Sequence, residues 1–484
     1  MNRTKMFIGG AWQETAQGTQ RDLVNPATEE VFGQAVIATA EDAGPAVEAA
    51  HSALPAWSMT SGATRADLLE RIARAWEGRG SEVALLVTQE MGMPLRDSAF
   101  NNVAGPVAVL RYYAGIARNV QLEERRAPFA FKGEVIVRKS PVGVVAAVVP
   151  WNYPLMLMAT KLGPALAAGC TVVIKPAEEN ALSGYLVADI MAEAGVPPGV
   201  VNVVAGGPDF ARALVAHPKV GKVAFTGSTP VGRSIAREVG GRLGSVNLEL
   251  GGKSAAVVLD DADLVHTLSQ LPPLSFLNAG QTCFAQTRVI ATPNVYEEIV
   301  EGYRRYAKSQ VLGSPLDEGT TMGPVVSGKQ RQRINEYIEH GVSAGARLVS
   351  GGVTGEVPER GFYVRPTVFA DVDNAWAVAQ EEIFGPVVCI IRAKDEDDAV
   401  RIANDSPYGL AGSVWTGDVE RGLALACLIE AGSFGINGYL PDMAAPWGGT
   451  KASGSGRENG PEAVDDFLRA DTIYKFDGGA GPTA

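Results

Sequence analysis

Short apolar runs alternate with longer segments of helical period from Val142 to Phe225. Residues 142–149, 171–175, 200–204 and 220–225 are nearly continuous in Val, Ile, Ala and Phe, the composition of strands buried on both faces. Between them, 155–168, 182–194 and a stretch around 210–216 read as helices, and another helix is expected from near Pro230. This alternation predicts a parallel α/β sheet. A second α/β region is expected from about 253 to 450, with strands at 255–259, 288–291, 364–368 and 387–391. Upstream, 1–40 reads as short strands and turns. Residues 41–117 are alanine-rich and helical in period, with Asp42 and Thr64 as expected N-caps. The pattern breaks at 118–140, where 129–137 has strand composition and suits a hairpin. A Gly- and Ser-rich stretch at 447–457 precedes an expected terminal strand at 467–476 and a low-complexity tail at 478–484.

Length adds a constraint. A single hydrophobic core stops growing at roughly 250–300 residues, so 484 residues imply at least two domains. With 46% hydrophobic and 20% charged residues, the chain is of ordinary globular composition. No apolar run approaches the ~20 residues of a transmembrane helix. A net charge of −12 argues against nucleic-acid or anionic-membrane partners, which need basic patches. The four cysteines, Cys170, Cys283, Cys389 and Cys427, form neither a CxxC pair nor a disulfide framework. His51, His217, His266 and His340 are scattered, so no metal site is expected. The N-terminus lacks the apolar core of a signal peptide, and a cytoplasmic location is expected.

Candidate chemistry centres on Cys283, which closes the run Asn278-Ala279-Gly280-Gln281-Thr282-Cys283. A thiol needs a base and an oxyanion donor for acyl chemistry. Glu249, in Glu249-Leu250-Gly251-Gly252-Lys253, is the candidate base. Asn152, in Pro150-Trp151-Asn152-Tyr153-Pro154, is the candidate donor. A helix N-terminus at Cys283 would lower its pKa. The other three cysteines suit buried apolar positions. Phe225-Thr226-Gly227-Ser228-Thr229-Pro230-Val231-Gly232 ends a strand and opens a helix, a place where backbone N–H groups face a pyrophosphate. Lys175 and Glu178 close another strand at the edge where open α/β sheets bind ligands. Lys175 suits an adenosine ribose, and Glu178 its 2′- and 3′-hydroxyls, which disfavours a 2′-phosphate. Gly251-Gly252-Lys253-Ser254 is not a Walker A ending, because Asn247 stands where that motif needs Gly.

In this order, with Glu381-Glu382-Ile383-Phe384-Gly385-Pro386 and Pro446-Trp447-Gly448-Gly449-Thr450-Lys451-Ala452-Ser453-Gly454 following, these motifs resemble the NAD(P)-dependent aldehyde dehydrogenase superfamily along essentially the whole chain. The resemblance implies an α/β fold of two open parallel-sheet domains plus a small β oligomerisation arm. Residues 1–117 and 141–251 would form the dinucleotide-binding domain, 252–449 the catalytic domain, and 118–140 with 450–484 the arm. It further implies that Cys283 attacks the aldehyde, that Asn152 and the Cys283 N–H hold the oxyanion, and that Glu249 activates water to hydrolyse the thioester. Lys161 and Glu458 would relay protons from Glu249. Trp151, Lys175, Glu178, Gly227, Ser228, Gly232, Leu250, Glu382 and Phe384 would bind NAD, with NADP the less favoured cofactor. The family commonly has Phe where this chain has Trp447. Tyr153 and Trp447 suit an aromatic box for a quaternary ammonium aldehyde. Thr160 and Leu277 stand where betaine aldehyde enzymes place further tryptophans. Tyr153, Leu157, Thr160, Leu277, Thr282, Phe284 and Trp447 are the expected pocket, largely apolar, for an aliphatic, terpenoid or aromatic aldehyde. A homodimer or homotetramer is expected. Alternatives are a coenzyme-A-acylating enzyme, a betaine or amino-aldehyde dehydrogenase, and a non-catalytic binding protein on the same scaffold.

Overall fold

The expected apolar runs pair as parallel strands. A computed structural model describes residues 2–477; the tail at 478–484 lies outside them. In the first sheet Val144–Val148, Thr171–Lys175, Val201–Val203, Val220–Thr226 and Ser245–Glu249 are parallel. Antiparallel strands close both edges: Met6–Ile8 and Ala11–Gln13 on one side, Gly454–Ser455 on the other. From Val144–Val148 the chain steps outward through Thr171–Lys175 and Val201–Val203. It then returns to the opposite flank through Val220–Thr226. Such a reversal leaves a crevice beyond the carboxyl ends of the strands, the usual ligand site of an open α/β sheet. Those ends carry Lys175, Thr226 and Glu249.

The second sheet has the order Arg347–Ser350, Thr367–Ala370, Val387–Arg392, Arg288–Ala291, Ala255–Val258, Ala411–Trp415, Ser433–Ile436. It is parallel except at its first strand. Each sheet is the centre of its own hydrophobic cluster. One runs from Met6 to Leu250 and takes in Val326, Ala463, Val464 and Phe467; the other runs from Ala255 to Leu425.

Several local expectations need correction. The strand expected at 364–368 is Thr367–Ala370, because Pro366 has no N–H to give the ladder. Ser61, not Thr64, caps the helix Gly62–Gly78, its hydroxyl accepting from the Thr64 N–H. Asp42 has helical backbone angles, and its carboxylate turns back to accept from the Ala16 and Thr39 N–H groups. The arm is narrower than 450–484: Gly454–Ser455 belongs to the first sheet, and only Leu468–Phe476 pairs with Gly133–Pro141. Glu123–Arg126 completes that three-stranded arm. Residues 129–132, expected as strand, lie outside it; Phe129 is fully exposed, and Phe131 packs on Phe476 with ring centroids 4.4 Å apart.

Candidate active site

Glycines bring the motifs together by leaving no room for a side chain. A Cβ on Gly252 would collide with the Cys283 carbonyl, and one on Gly280 with the Gly385 carbonyl. A Cβ on Gly448 would sit 2.7 Å from Glu249 Oε1. Thus the runs around Glu249, Cys283, Phe384 and Trp447, far apart in sequence, share one chamber.

The approach to Cys283 is strained. Asn278 and Ala279 have left-handed backbones at φ 52° and 54°, unusual for residues with a Cβ. Side chains hold this shape. Gln281, fully buried, donates to the Asn278 carbonyl at 3.0 Å and accepts from the Val326 N–H at 2.9 Å. Asn278 donates to the Asn152 carbonyl at 3.0 Å, and the Asn152 amide donates to the Gln281 carbonyl at 2.9 Å. The amide carries two donors, so one remains for an oxyanion.

No helix begins at Cys283. The preceding helical turn ends at Gly280, and Cys283 lies in an irregular turn. Its thiol is pushed up, not down, first by burial and then by the carboxylates of Glu382 and Glu249; hydrogen bonding from the Phe284 and Cys283 N–H groups opposes this.

Glu249 ends the strand Ser245–Glu249 and is 1% exposed. Among the described residues neither of its carboxylate oxygens has a hydrogen-bond partner. Burial raises its pKa well above the ordinary carboxylate value, and the nearby Glu458 carboxylate adds to the rise. Lys161 donates to Glu458 Oε1 and to Thr226 Oγ1, each at 2.6 Å. Thr226 stands opposite Glu249 in the parallel ladder, which is how this ion pair comes to lie beside Glu249. Thr160, expected to line an apolar pocket, also donates to Glu458, at 3.2 Å. Its hydroxyl belongs to this polar network.

The other expected pocket residues meet in pairs. The Tyr153 hydroxyl meets Thr282 Oγ1 at 2.7 Å, and Thr282 donates to the Leu277 carbonyl at 3.1 Å. Phe284 lies edge-on to Trp447 with ring centroids 6.4 Å apart. Leu157 is half-buried one turn before Lys161. The sequence reading missed Tyr439, which packs against Phe284 at 5.7 Å and accepts from the Trp447 indole N–H at 3.0 Å. Ser433 meets the Tyr439 hydroxyl at 2.7 Å, so Trp447 is held by a chain of hydrogen bonds.

The expected cofactor residues fall in two places. Lys175 and Glu178 line a cavity of about 580 Å³ with Gly207, Pro208, Phe225 and Ile235. Ser228 stands at the N-cap of the helix Thr229–Gly241, and the Gly227 N–H donates to the Glu249 carbonyl at 3.0 Å. Gly232 lets that helix sit on Leu250, whose side chain a Cβ there would strike. Nearer Cys283, Trp151 lies edge-on to Phe384 with centroids 5.3 Å apart. Phe384 is itself left-handed at φ 61°. Glu382 accepts from the Gly252 N–H at 3.0 Å, and burial raises its pKa to about 7.

The aldehyde dehydrogenase family model matches residues 12–473. The chain belongs to the aldehyde dehydrogenase family. A geranial dehydrogenase of Castellaniella defragrans is 45% identical over 97% of this chain and 98% of its own length. Betaine aldehyde dehydrogenase 1 of Oryza sativa is 39% identical over 98% and 95%. A Mycobacterium tuberculosis aldehyde dehydrogenase complexed with NAD+ has a TM-score of 0.96 at 41% identity, over 99% of this chain and all of the other. Among the described residues of this aldehyde dehydrogenase, no helix is long and apolar enough to cross a membrane.

Thr226 and Gln281 stand inside the motif runs, so their spacing to Glu249 and Cys283 was a usable signal. Tyr439 and Ser433 lie in a segment of unremarkable sequence, and only the fold brings them to Trp447.

Proposed function

We propose that this enzyme oxidises an apolar aldehyde of the aliphatic, terpenoid or aromatic kind to its carboxylic acid with NAD. The observation that carries this reading is the convergence of Cys283, Asn152 and a buried, unpartnered Glu249 in one chamber.

The cavity at the strand ends fits the adenosine half of the cofactor. It is concave, largely apolar on the Phe225 and Ile235 side, and polar at Lys175 and Glu178. Gly207 keeps its mouth open, since a Cβ there would lie 3.2 Å from Glu178 Oε1. Glu382, Trp151 and Phe384 would hold the nicotinamide end. When bound, NAD supplies the hydride acceptor and a positively charged ring.

This chain's residues do the rest. Glu249 takes the Cys283 thiol proton and returns to the carboxylate as that proton leaves by way of the Lys161–Glu458 pair, and the freed Sγ bonds to the aldehyde carbon. The spare N–H of Asn152 and the Cys283 backbone N–H hold the oxygen as charge develops, donors already aimed before reaction. Oxidation leaves a thioester on Sγ. Glu249 takes a proton from water, whose oxygen attacks the thioester; Sγ leaves, and the acid is released. A carboxylate with a raised pKa is a stronger base than an exposed one, which suits this step. The Lys161–Glu458 pair, with Thr226 and Thr160, offers a route by which that proton leaves the chamber.

Phe284, Trp447, Leu157 and Leu277 favour an apolar substrate, and the likeness to a geranial dehydrogenase supports the terpenoid class. The aromatic set of Tyr153, Phe284, Tyr439 and Trp447 favours a second reading, a quaternary ammonium aldehyde held by cation–π contacts. NADH formation over geranial-type, straight-chain, aromatic, betaine and amino aldehydes separates them. A kcat/KM highest for betaine aldehyde would overturn the apolar reading. Acyl-CoA formed on adding coenzyme A would overturn hydrolysis. The arm leaves Ile473, Tyr474 and Phe476 exposed, and the turn within it leaves Phe129 exposed as well, which supports a homodimer or homotetramer. Sedimentation as a monomer would count against it.

A further inference from the structure

Glu178, expected to receive the adenosine ribose hydroxyls, is not alone. Arg21, from the strand Thr19–Val24, donates from Nη1 to Glu178 Oε2 at 2.5 Å. Its Nη2 stands 3.7 Å from Glu179 Oε1. The Arg21 side chain is 40% exposed and that of Glu178 25%, so both reach solvent, Glu178 from the lining of the cavity itself. The other carboxylate oxygen, Oε1, faces Gly207. Glu178 therefore presents two faces: one oxygen turned to the cavity, the other held by a guanidinium.

A bare carboxylate at the ribose excludes a 2′-phosphate by repulsion. Here Arg21 offsets that charge, and Lys175 and Arg212 line the same cavity. A guanidinium also carries five donors in a planar fork that matches phosphate as well as carboxylate. The pair is exposed enough to part at small cost, since surface ion pairs contribute little net stability.

We propose that Arg21 is a cofactor-selectivity residue: it pairs with Glu178 when the ribose carries a 2′-hydroxyl and with the phosphate when it carries a 2′-phosphate, so that the enzyme uses NADP as well as NAD. This rests on the reading of the cavity as the adenosine site. Selectivity is then set by the Arg21–Glu178 pair, joining strand Thr19–Val24 to the turn after Lys175, and not by the glutamate alone.

The test is calorimetric binding of adenosine 2′,5′-bisphosphate and of ADP-ribose to the full-length enzyme, with kcat/KM for NADP and NAD alongside. Arg21→Ala is expected to weaken the bisphosphate about tenfold, the scale of a charged hydrogen-bonded contact. ADP-ribose should change by less than about threefold, and the NADP/NAD ratio of kcat/KM should fall about tenfold. Arg21→Lys keeps the charge without the fork and should lie between. In a Glu178→Gln background, Arg21→Ala should still weaken the bisphosphate. An unchanged ratio with unchanged bisphosphate binding overturns the proposal. Equal weakening of both ligands also overturns it, by making Arg21 a support for the turn. An Ala211→Trp variant, its cavity filled, that binds ADP-ribose as well as the wild type does overturns the adenosine-site reading itself, and the proposal with it.

Discussion

The mouth of the Lys175–Glu178 cavity and the chamber at Cys283 lie at the ends of the same sheet, yet they are built differently. At the mouth, charged side chains reach solvent, and Arg21, Glu178 and Glu179 form exposed ion pairs. In the chamber, Glu249 is buried without a hydrogen-bond partner among the described residues, glycines allow close backbone approach, and the backbone is held left-handed at Asn278, Ala279 and Phe384. Water screens charges at the mouth, so a substitution there shifts a preference. The chamber depends on desolvation and position, so a substitution there removes a step.

Replacing the proposed nucleophile sharpens this comparison most. Cys283→Ala should lower NADH formation by at least ~10⁴-fold while calorimetric NAD binding stays within about threefold. Loss of binding as well would mean that chamber and mouth are not separable.

Glu249→Gln should come next. The acyl-enzyme should accumulate, giving a stoichiometric burst of NADH followed by turnover slower by ~10²–10⁴-fold. In the native enzyme Glu249 must lose its proton to act, and its pKa lies above the ordinary carboxylate value. The steady-state rate should therefore climb with pH through a pKa above that value. A native steady state in the variant would take Glu249 out of deacylation.

A backbone test separates position from chemistry. Gly252→Ala places a methyl against the Cys283 carbonyl and must shift the loop. Misplacement by about 1 Å costs ~10² in rate. Turnover should fall by that order with the thermal midpoint little changed, and iodoacetamide should still label Cys283. A native rate would show that the chamber tolerates movement as the mouth does.

The smallest effect concerns a carboxylate beneath the mouth. Glu90 accepts from the Ser183 N–H at 3.0 Å and the Asn180 amide at 3.3 Å, just after Glu178. Burial raises its pKa from 4.5 to about 7. The folded state thus holds this proton more tightly than the unfolded chain. Its contribution is full below pH 4.5 and is lost as pH rises to about 7. Glu90→Gln should flatten that fall in denaturant-unfolding free energy. An unaltered pH profile would place the titration elsewhere.

Much of this was legible in sequence because it is local. Buried parallel strands announce themselves as apolar runs, and 171–175 and 288–291 lie where the pattern puts them. Ser245–Glu249, Ala411–Trp415 and Ser433–Ile436 carry polar or small residues and gave no such signal. The Cys283 environment was misjudged for a physical reason: a Gly-Gln-Thr lead can open a helix or close a turn, and Val326 and Gly385, packed on that lead, decide which.

The chain's order of residues alone determined the alternation of strand and helix and the family, and it singled out a thiol, an amide and a carboxylate as candidates. Tertiary structure decided how those groups behave. Desolvation and neighbouring charge, which raise Cys283 and Glu249, sum over atoms brought close from distant segments. So do the bond from Tyr439 to Trp447 and the contact of Arg21 with Glu178. No pattern along the chain encodes those distances, because they arise only when the two sheets and their connecting loops are packed.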